Sequence, residues 1–240
     1  MASLASVLEA VLFDWGGTLM HFQWDDELLV AGHRSGLEAI GRASEADEFT
    51  ERFRREKLPA MRERDTAADL DYDAELRDLL GPLTDDELDR FLDAEHATWR
   101  PSRALIDSAH ALLDSLRDSG LRLAIVANTW PEPARLVRRE LAELGVADRV
   151  DAIVLSGELG ARKPDPAPFR RALDDLGVEP AAALFVGDRL VDDIEGAAAV
   201  GMATVQALWF RADTGVATVE PDFRAFTPVD VLGVARRRAN

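Results

Sequence analysis

The 240-residue chain contains no cysteine. It therefore has no disulfide framework, no thiol nucleophile and no thiolate-bound metal. Long apolar runs are missing too: no stretch reaches membrane-spanning length, and MASLASVLEAVLFDW has no basic stretch ahead of its apolar residues. There is no internal repeat and no low-complexity segment. Lysine is almost absent, since of 28 basic residues only Lys57 and Lys163 are lysine and the rest are arginine. In so biased a chain a retained lysine is a candidate for work that needs a compact point charge, which the planar arginine fork does not imitate. The basic residues are outnumbered by 45 acidic ones, for a net charge of −17. A surface that negative repels nucleic-acid phosphates and anionic membranes, so neither is an expected partner. Apolar residues, at 47%, suffice for a full core. The expectation is a soluble, cytoplasmic protein, monomer or homodimer, with one large domain or a domain carrying an insertion.

Hydrophobic periodicity divides the chain. Residues Ala10–Phe13 form an apolar run that ends at Asp14 and the pair Gly16–Gly17, which reads as a buried strand breaking into a tight loop. From His21 to about Trp99 the pattern is helical, with no convincing strand, and Thr84 with Glu87 makes a capping box. From Pro101 onward helices and strands alternate: a helix over 102–120, a strand over Leu121–Asn128, and a helix opening near Pro131. A strand over Asp151–Ser156, a helix capped by Asp165 with Pro166 at its first position, and strands from Ala182 and Met202 follow. A last helix closes the chain, its ARRRAN end read as frayed basic residues. This alternation predicts an α/β fold with a doubly wound parallel sheet, whose strands are apolar throughout because helices cover both faces. The core is expected over 1–19 and 99–240, with an α-helical cap inserted over 20–98.

In such a sheet, ligands bind beyond the carboxyl ends of the strands. The first strand is followed by Asp14-Trp15-Gly16-Gly17-Thr18, the next by Ala127-Asn128-Thr129, the third by Arg162-Lys163-Pro164, and a later one by Gly187-Asp188 with Asp192-Asp193 beyond. These place several carboxylates, one lysine and loop amides around one crevice. Clustered carboxylates call for a cation, and oxygen ligands with an open position suit Mg²⁺ better than zinc. A metal, a lysine and backbone donors beside a lone carboxylate suit phosphoryl transfer.

The segments FDWGGTL, AN, KPDP and VGDRLVDDIEGAAAVGM resemble the four ordered motifs of the haloacid dehalogenase-like (HAD) superfamily, and the helical insertion resembles that family's cap. The resemblance implies that Asp14 is a nucleophile forming an aspartyl-phosphate. It implies that Asp14, Asp188 and the carbonyl of Gly16 coordinate Mg²⁺, with Asp193, and Asp192 beside it, ordering water around the ion. Lys163 would pair with Asp14 and the phosphoryl group. Gly17, Thr18, Asn128 and Thr129 would bind the phosphoryl group or shape its loop. His33, His96 and His110 read as solvated helix residues, whereas His21 stays close to the first motif. His21, Trp24 and Trp130 are candidates for specificity, and Trp15 is expected to shape the loop.

Two departures from the pattern bear on function. Family phosphatases carry a second Asp two residues after the nucleophile as general acid–base; here that position is Gly16. The Ser or Thr of the second motif is Ala127. The expected activity is thus a phosphatase acting on a small phosphorylated metabolite whose leaving group needs no protein acid. Acyl or aryl phosphates fit, as does a substrate that supplies its own acid. Two alternatives stand beside it. One is a phosphonoacetaldehyde hydrolase-like enzyme that cleaves a C–P bond of a phosphonate substrate, with Lys57 as the Schiff-base lysine. The other is a non-catalytic binding protein, which the retained carboxylates disfavour.

Overall fold

The computed structural model describes residues 7–22, 25–57, 59, 71–129, 132–210, 215 and 217–239. Trp24, Trp130 and Pro131 lie outside the described residues. Six strands form one parallel sheet in the order β5-β4-β1-β6-β7-β8: β1 (Ala10–Phe13), β4 (Arg122–Ala127), β5 (Ala152–Leu155), β6 (Ala183–Gly187), β7 (Ala203–Ala207) and β8 (Phe223–Ala225). Alternation along β1 feeds two cores. Val11 and Phe13 pack with α5 (Ala109–Asp118), α6 (Ala134–Glu143) and α10 (Pro228–Ala239). Ala10 and Leu12 pack with α8 (Pro166–Leu176) and the short α9 (Gly196–Ala199) on the opposite face. The sheet is thus the middle of three layers, and its apolar strands follow from having no wet face. Asp165 caps α8 by accepting the Ala167 amide at 2.7 Å, with Pro166 at the first position.

Between β1 and β4 the chain builds a helical cap from α1 (Asp26–Ala39), α2 (Ala46–Glu56), α3 (Tyr72–Leu80) and α4 (Asp85–Trp99). Helices α1 and α4 pack closely because Gly32 and Gly36, one turn apart, face α4. A Cβ at Gly32 would sit 2.4 Å from Trp99 Nε1, and one at Gly36 would sit 2.7 Å from the Phe91 ring. The capping box at Thr84 and Glu87 opens α4. Leu136 of α6 joins the cap's apolar cluster. Around that contact Arg135 pairs with Asp89 (3.0 Å) and Asp73 (2.8 Å), and Arg139 with Asp93 (2.8 Å).

Two short strands correct the sequence reading. The predicted helix over 102–120 begins only at Ala109; Arg103–Leu105 is strand β3, antiparallel to β2 (Met20–Phe22) in a stretch read as helical. Each is three residues long, too short for periodicity to register, and each needs a partner about eighty residues away. This ribbon carries the chain out to the cap and back. Strand β8, also three residues, escaped for the same reason. Among the described residues no helix is long and apolar enough to cross a membrane.

Candidate active site

Asp14 follows β1 directly, its amide donating to the Val186 carbonyl of β6 at 2.9 Å. The next turn is closed by the Trp15 carbonyl, which accepts from the amides of Leu19 (3.1 Å) and Met20 (2.9 Å) and, more weakly, of Thr18 (3.4 Å). Gly17 is required there twice over: its φ is +94°, and a Cβ would lie 2.6 Å from Asp188 Oδ2. Asp188 directly follows β6, and a π-helical turn, Leu190–Glu195, brings Asp193 back to the same centre. A Cβ on Gly187 would strike the Asp193 carboxyl at 2.4 Å, so the strand must end in glycine for the carboxylate to reach the centre.

At the centre the Lys163 ammonium, fully buried, donates to Asp14 Oδ1 (2.7 Å) and Asp193 Oδ1 (2.6 Å) and lies 5.3 Å from the Phe185 ring centroid. Burial opposes its charge, but Asp14 and Asp193 outweigh burial and hold its pKa above the lysine range. Burial pushes the Asp193 carboxyl up to about 6, against the pull of Lys163 and with Asp14 adding to the push. Asp193 Oδ2 accepts the Arg189 amide at 2.9 Å. Asp14 Oδ2 accepts the Thr18 hydroxyl at 3.2 Å. Oxygens of Asp14, Asp188 and Asp193, all buried, lie within 4.8 Å of one another. Three carboxylates against one ammonium leave a formal charge of −2 out of water, which a hard divalent cation would offset.

The profile of the haloacid dehalogenase-like hydrolases matches residues 8–201. The chain belongs to that family. It is 31% identical over 245 residues to the glyceraldehyde 3-phosphate phosphatase of Methanopyrus kandleri, covering 97% of this chain and 99% of that one. Identity to the phosphoserine phosphatase of Thermus thermophilus is 38% over 118 residues, 49% of this chain and 44% of that protein, so this match spans less than half of the relative's length. Among solved structures, a HAD phosphatase from Thermococcus onnurineus superposes with a TM-score of 0.66 at 25% identity, over 95% of this chain and 97% of that one.

Within this HAD site the remaining candidates have defined places. Asn128 spends both ends of its carboxamide on the Lys163 backbone, accepting the amide at 2.9 Å and donating to the carbonyl at 3.0 Å. Thr129 is tied to Ser156, whose Oγ accepts the Thr129 amide at 2.9 Å, and its hydroxyl accepts the Gly157 amide at 3.3 Å. Ala127 closes β4 and is buried. Gly16 faces open space, for a Cβ there meets no atom within 4 Å, and it needs no left-handed φ. Burial raises the Asp192 carboxyl, against Lys163, Arg189 and Arg162. Trp15 is buried, its indole donating to Glu140 at 3.4 Å. His21 is exposed and stacks on Phe210 at 4.7 Å. Lys57 pairs with Glu75 and, at 3.1 Å, with Asp78, and the Glu75 hydrogen bond raises its pKa. A Schiff-base lysine needs the opposite shift.

Two histidines read as solvated are buried. His33 sits inside the cap, and His96 Nδ1 lies 2.7 Å from Glu132 Oε1. Glu132 also pairs with Arg103 at 2.6 Å, and Arg103 reaches Glu140 at 3.1 Å and lies 4.9 Å from the Phe22 ring centroid. Charged residues at helical spacing look solvated in a sequence, and the signal for this cluster was pairing over 29 to 37 positions between loop, helix and strand.

Proposed function

We propose that the protein is a Mg²⁺-dependent phosphatase for small phosphorylated metabolites, with Asp14 as the nucleophile. The observation that carries the reading is the buried contact of Lys163 with both Asp14 and Asp193, beside Asp188. Asp14, Asp188, Asp193 and the Gly16 carbonyl would hold the ion, which when bound neutralises charge on the phosphoryl oxygens. Asp14 attacks phosphorus, the bond to the leaving oxygen breaks, and an aspartyl-phosphate forms. Water then cleaves it to inorganic phosphate and free Asp14. Lys163 keeps the two anions from repelling one another during attack, and Asn128 fixes the backbone from which Lys163 reaches in. Thr18 orients the Asp14 carboxyl. Gly17 and Thr18 shape the turn that presents Asp14 to the phosphoryl group, the Gly17 amide donating to the Met20 carbonyl at 2.8 Å, and Thr129 braces the loop after β4.

Position 16 supplies no acid, so the leaving oxygen departs unprotonated or carries its own proton source. Acyl and aryl phosphates meet that demand best. The phosphatase names of the relatives support the class of reaction. The test is hydrolysis of acetyl phosphate and para-nitrophenyl phosphate with Mg²⁺ and with EDTA, beside Asp14→Asn. Metal-dependent turnover lost in the variant is expected; equal turnover by Asp14→Asn would sink the reading.

A further inference from the structure

The buried cluster around Arg103 belongs neither to the catalytic centre nor to the cap's apolar core. Its members come from the hinge ribbon (Arg103 and Phe22), the cap (His96 of α4), the loop after β4 (Glu132) and α6 (Glu140). Arg103 lies in β3, opposite Phe22 of β2 in register, so its guanidinium is held at the ribbon over which the chain enters and leaves the cap. The side chains of Arg103, Glu132 and Glu140 are 7%, 7% and 5% exposed. Charges this deep are costly unless geometry and partners are fixed.

From Arg103 two chains of contact lead inward. Glu140 Oε2 accepts from Arg103 at 3.1 Å and from the Trp15 indole at 3.4 Å. Trp15 is the residue after Asp14, and its carbonyl gathers the amides that close the nucleophile turn. Glu132 accepts from Arg103 at 2.6 Å, and its own amide donates to the Thr129 carbonyl at 2.8 Å. That loop also carries Asn128, which holds the Lys163 backbone. A third contact, His96 to Glu132, ties in the cap helix. One guanidinium thus bears on the turn that presents Asp14, the loop that holds Lys163, and the cap.

We infer that Arg103 is a positioning residue that couples the seating of the cap to the relative placement of Asp14 and Lys163. It touches no reacting atom. When the cap hinge moves, Arg103 carries the change through Glu140 to Trp15 and through Glu132 to the loop at Thr129. The active-site spacing is then set when the cap is seated. The inference rests on the reading of Asp14 as nucleophile for its catalytic half, and on structure alone for its coupling half.

The experiment uses the full chain in two variants. Arg103→Lys keeps the charge but cannot serve both carboxylates with one fork. The triple variant Arg103→Met, Glu132→Gln, Glu140→Gln removes the coupling without stranding a buried charge. Amide hydrogen exchange is followed at Leu19, Met20 and Glu132, with the β4 and β6 interiors as internal reference. On acetyl phosphate with Mg²⁺, kcat and KM are measured separately. Expected in the triple variant are about tenfold or greater loss of protection at those three amides, intact protection in β4 and β6, and a ten- to hundredfold fall of kcat at nearly constant KM, about what loop misplacement costs. Arg103→Lys should lie between it and the wild type. Unchanged exchange at the three amides overturns the coupling, and loosened exchange with wild-type kcat overturns the positioning role. If the triple variant does not fold, Arg103→Lys carries both readouts. Should the wild type fail to hydrolyse acetyl phosphate, the phosphatase reading fails separately, and exchange alone decides whether Arg103 couples cap to turn.

Discussion

Carboxylates are buried both in the catalytic centre and in the cap, and the two regions keep them in different states. In the centre, the ammonium of Lys163 faces Asp14 and Asp193 at 2.7 and 2.6 Å and stays protonated. In the cap, Glu95 accepts the Tyr72 hydroxyl at 2.8 Å and lies 3.5 Å from His33, whose ring packs edge-on against Phe49 and Phe53. Burial raises Glu95 well above the glutamate range and lowers His33 to about 3, with Arg54 adding to the latter. The His33–Glu95 contact is therefore between neutral groups, not an ion pair. Burial is nearly equal in the two places, so the available partner decides: an ammonium sustains charge, whereas the hydrogen bond from the Tyr72 phenol favours the Glu95 carboxylate without offsetting its burial.

The sharpest way to break this contrast is to remove charge from the centre. Asp14→Asn deletes the proposed nucleophile and should lower kcat on acetyl phosphate by about 10⁴-fold or more, read in a stopped assay. Lys163→Met leaves the carboxylates to repel one another. It should cost about 3–5 kcal/mol in urea unfolding with EDTA, part of it recovered on adding Mg²⁺. Gly16→Asp adds an acid into open space and should raise turnover of alkyl phosphates relative to acetyl phosphate by about 10²-fold.

The cap side of the contrast is read by pH. Between about 6.5 and 3 the unfolded chain protonates His33 and the folded one does not, so stability falls as pH drops through that window. Above about 4.5 the unfolded chain releases the Glu95 proton that the folded chain keeps, so stability also falls as pH rises toward the raised pKa of Glu95. His33→Leu should flatten the acid limb and Glu95→Gln the alkaline limb in denaturation series run across pH. The smallest change is expected of Lys57→Ala, whose pairs with Glu75 and Asp78 sit on the cap surface. It should cost under ~1 kcal/mol and leave kcat unchanged.

What the sequence disclosed follows the same division. Apolar parallel strands announce themselves by composition, and their ends mark where chemistry gathers, so Asp14, Lys163, Asp188 and Asp193 could be named from spacing and motif. Burial of His33, His96, Glu95 and Arg103 could not, since amphipathic helices carry the same residue types on wet faces. Their partners lie on other elements, and only the folded chain brings them together. The β2–β3 ribbon was hidden for a related reason: Arg103 looks like a surface residue until Glu132, Glu140 and Phe22 surround it.

The row of ion pairs along α6 has a consequence for how the cap is worked. Arg135 and Arg139 grip Asp73, Asp89 and Asp93 from across the core–cap boundary, and all but the partly buried Asp73 are open to water. Dissolved ions reach such pairs, shortening the range of attraction from about 10 Å at 0.1 M salt to about 3 Å at 1 M. The buried contacts of Lys163 and Arg103 are shielded from that effect. Ionic strength in this sense acts on the boundary selectively: it loosens the outer grip while the contacts beneath keep their shape.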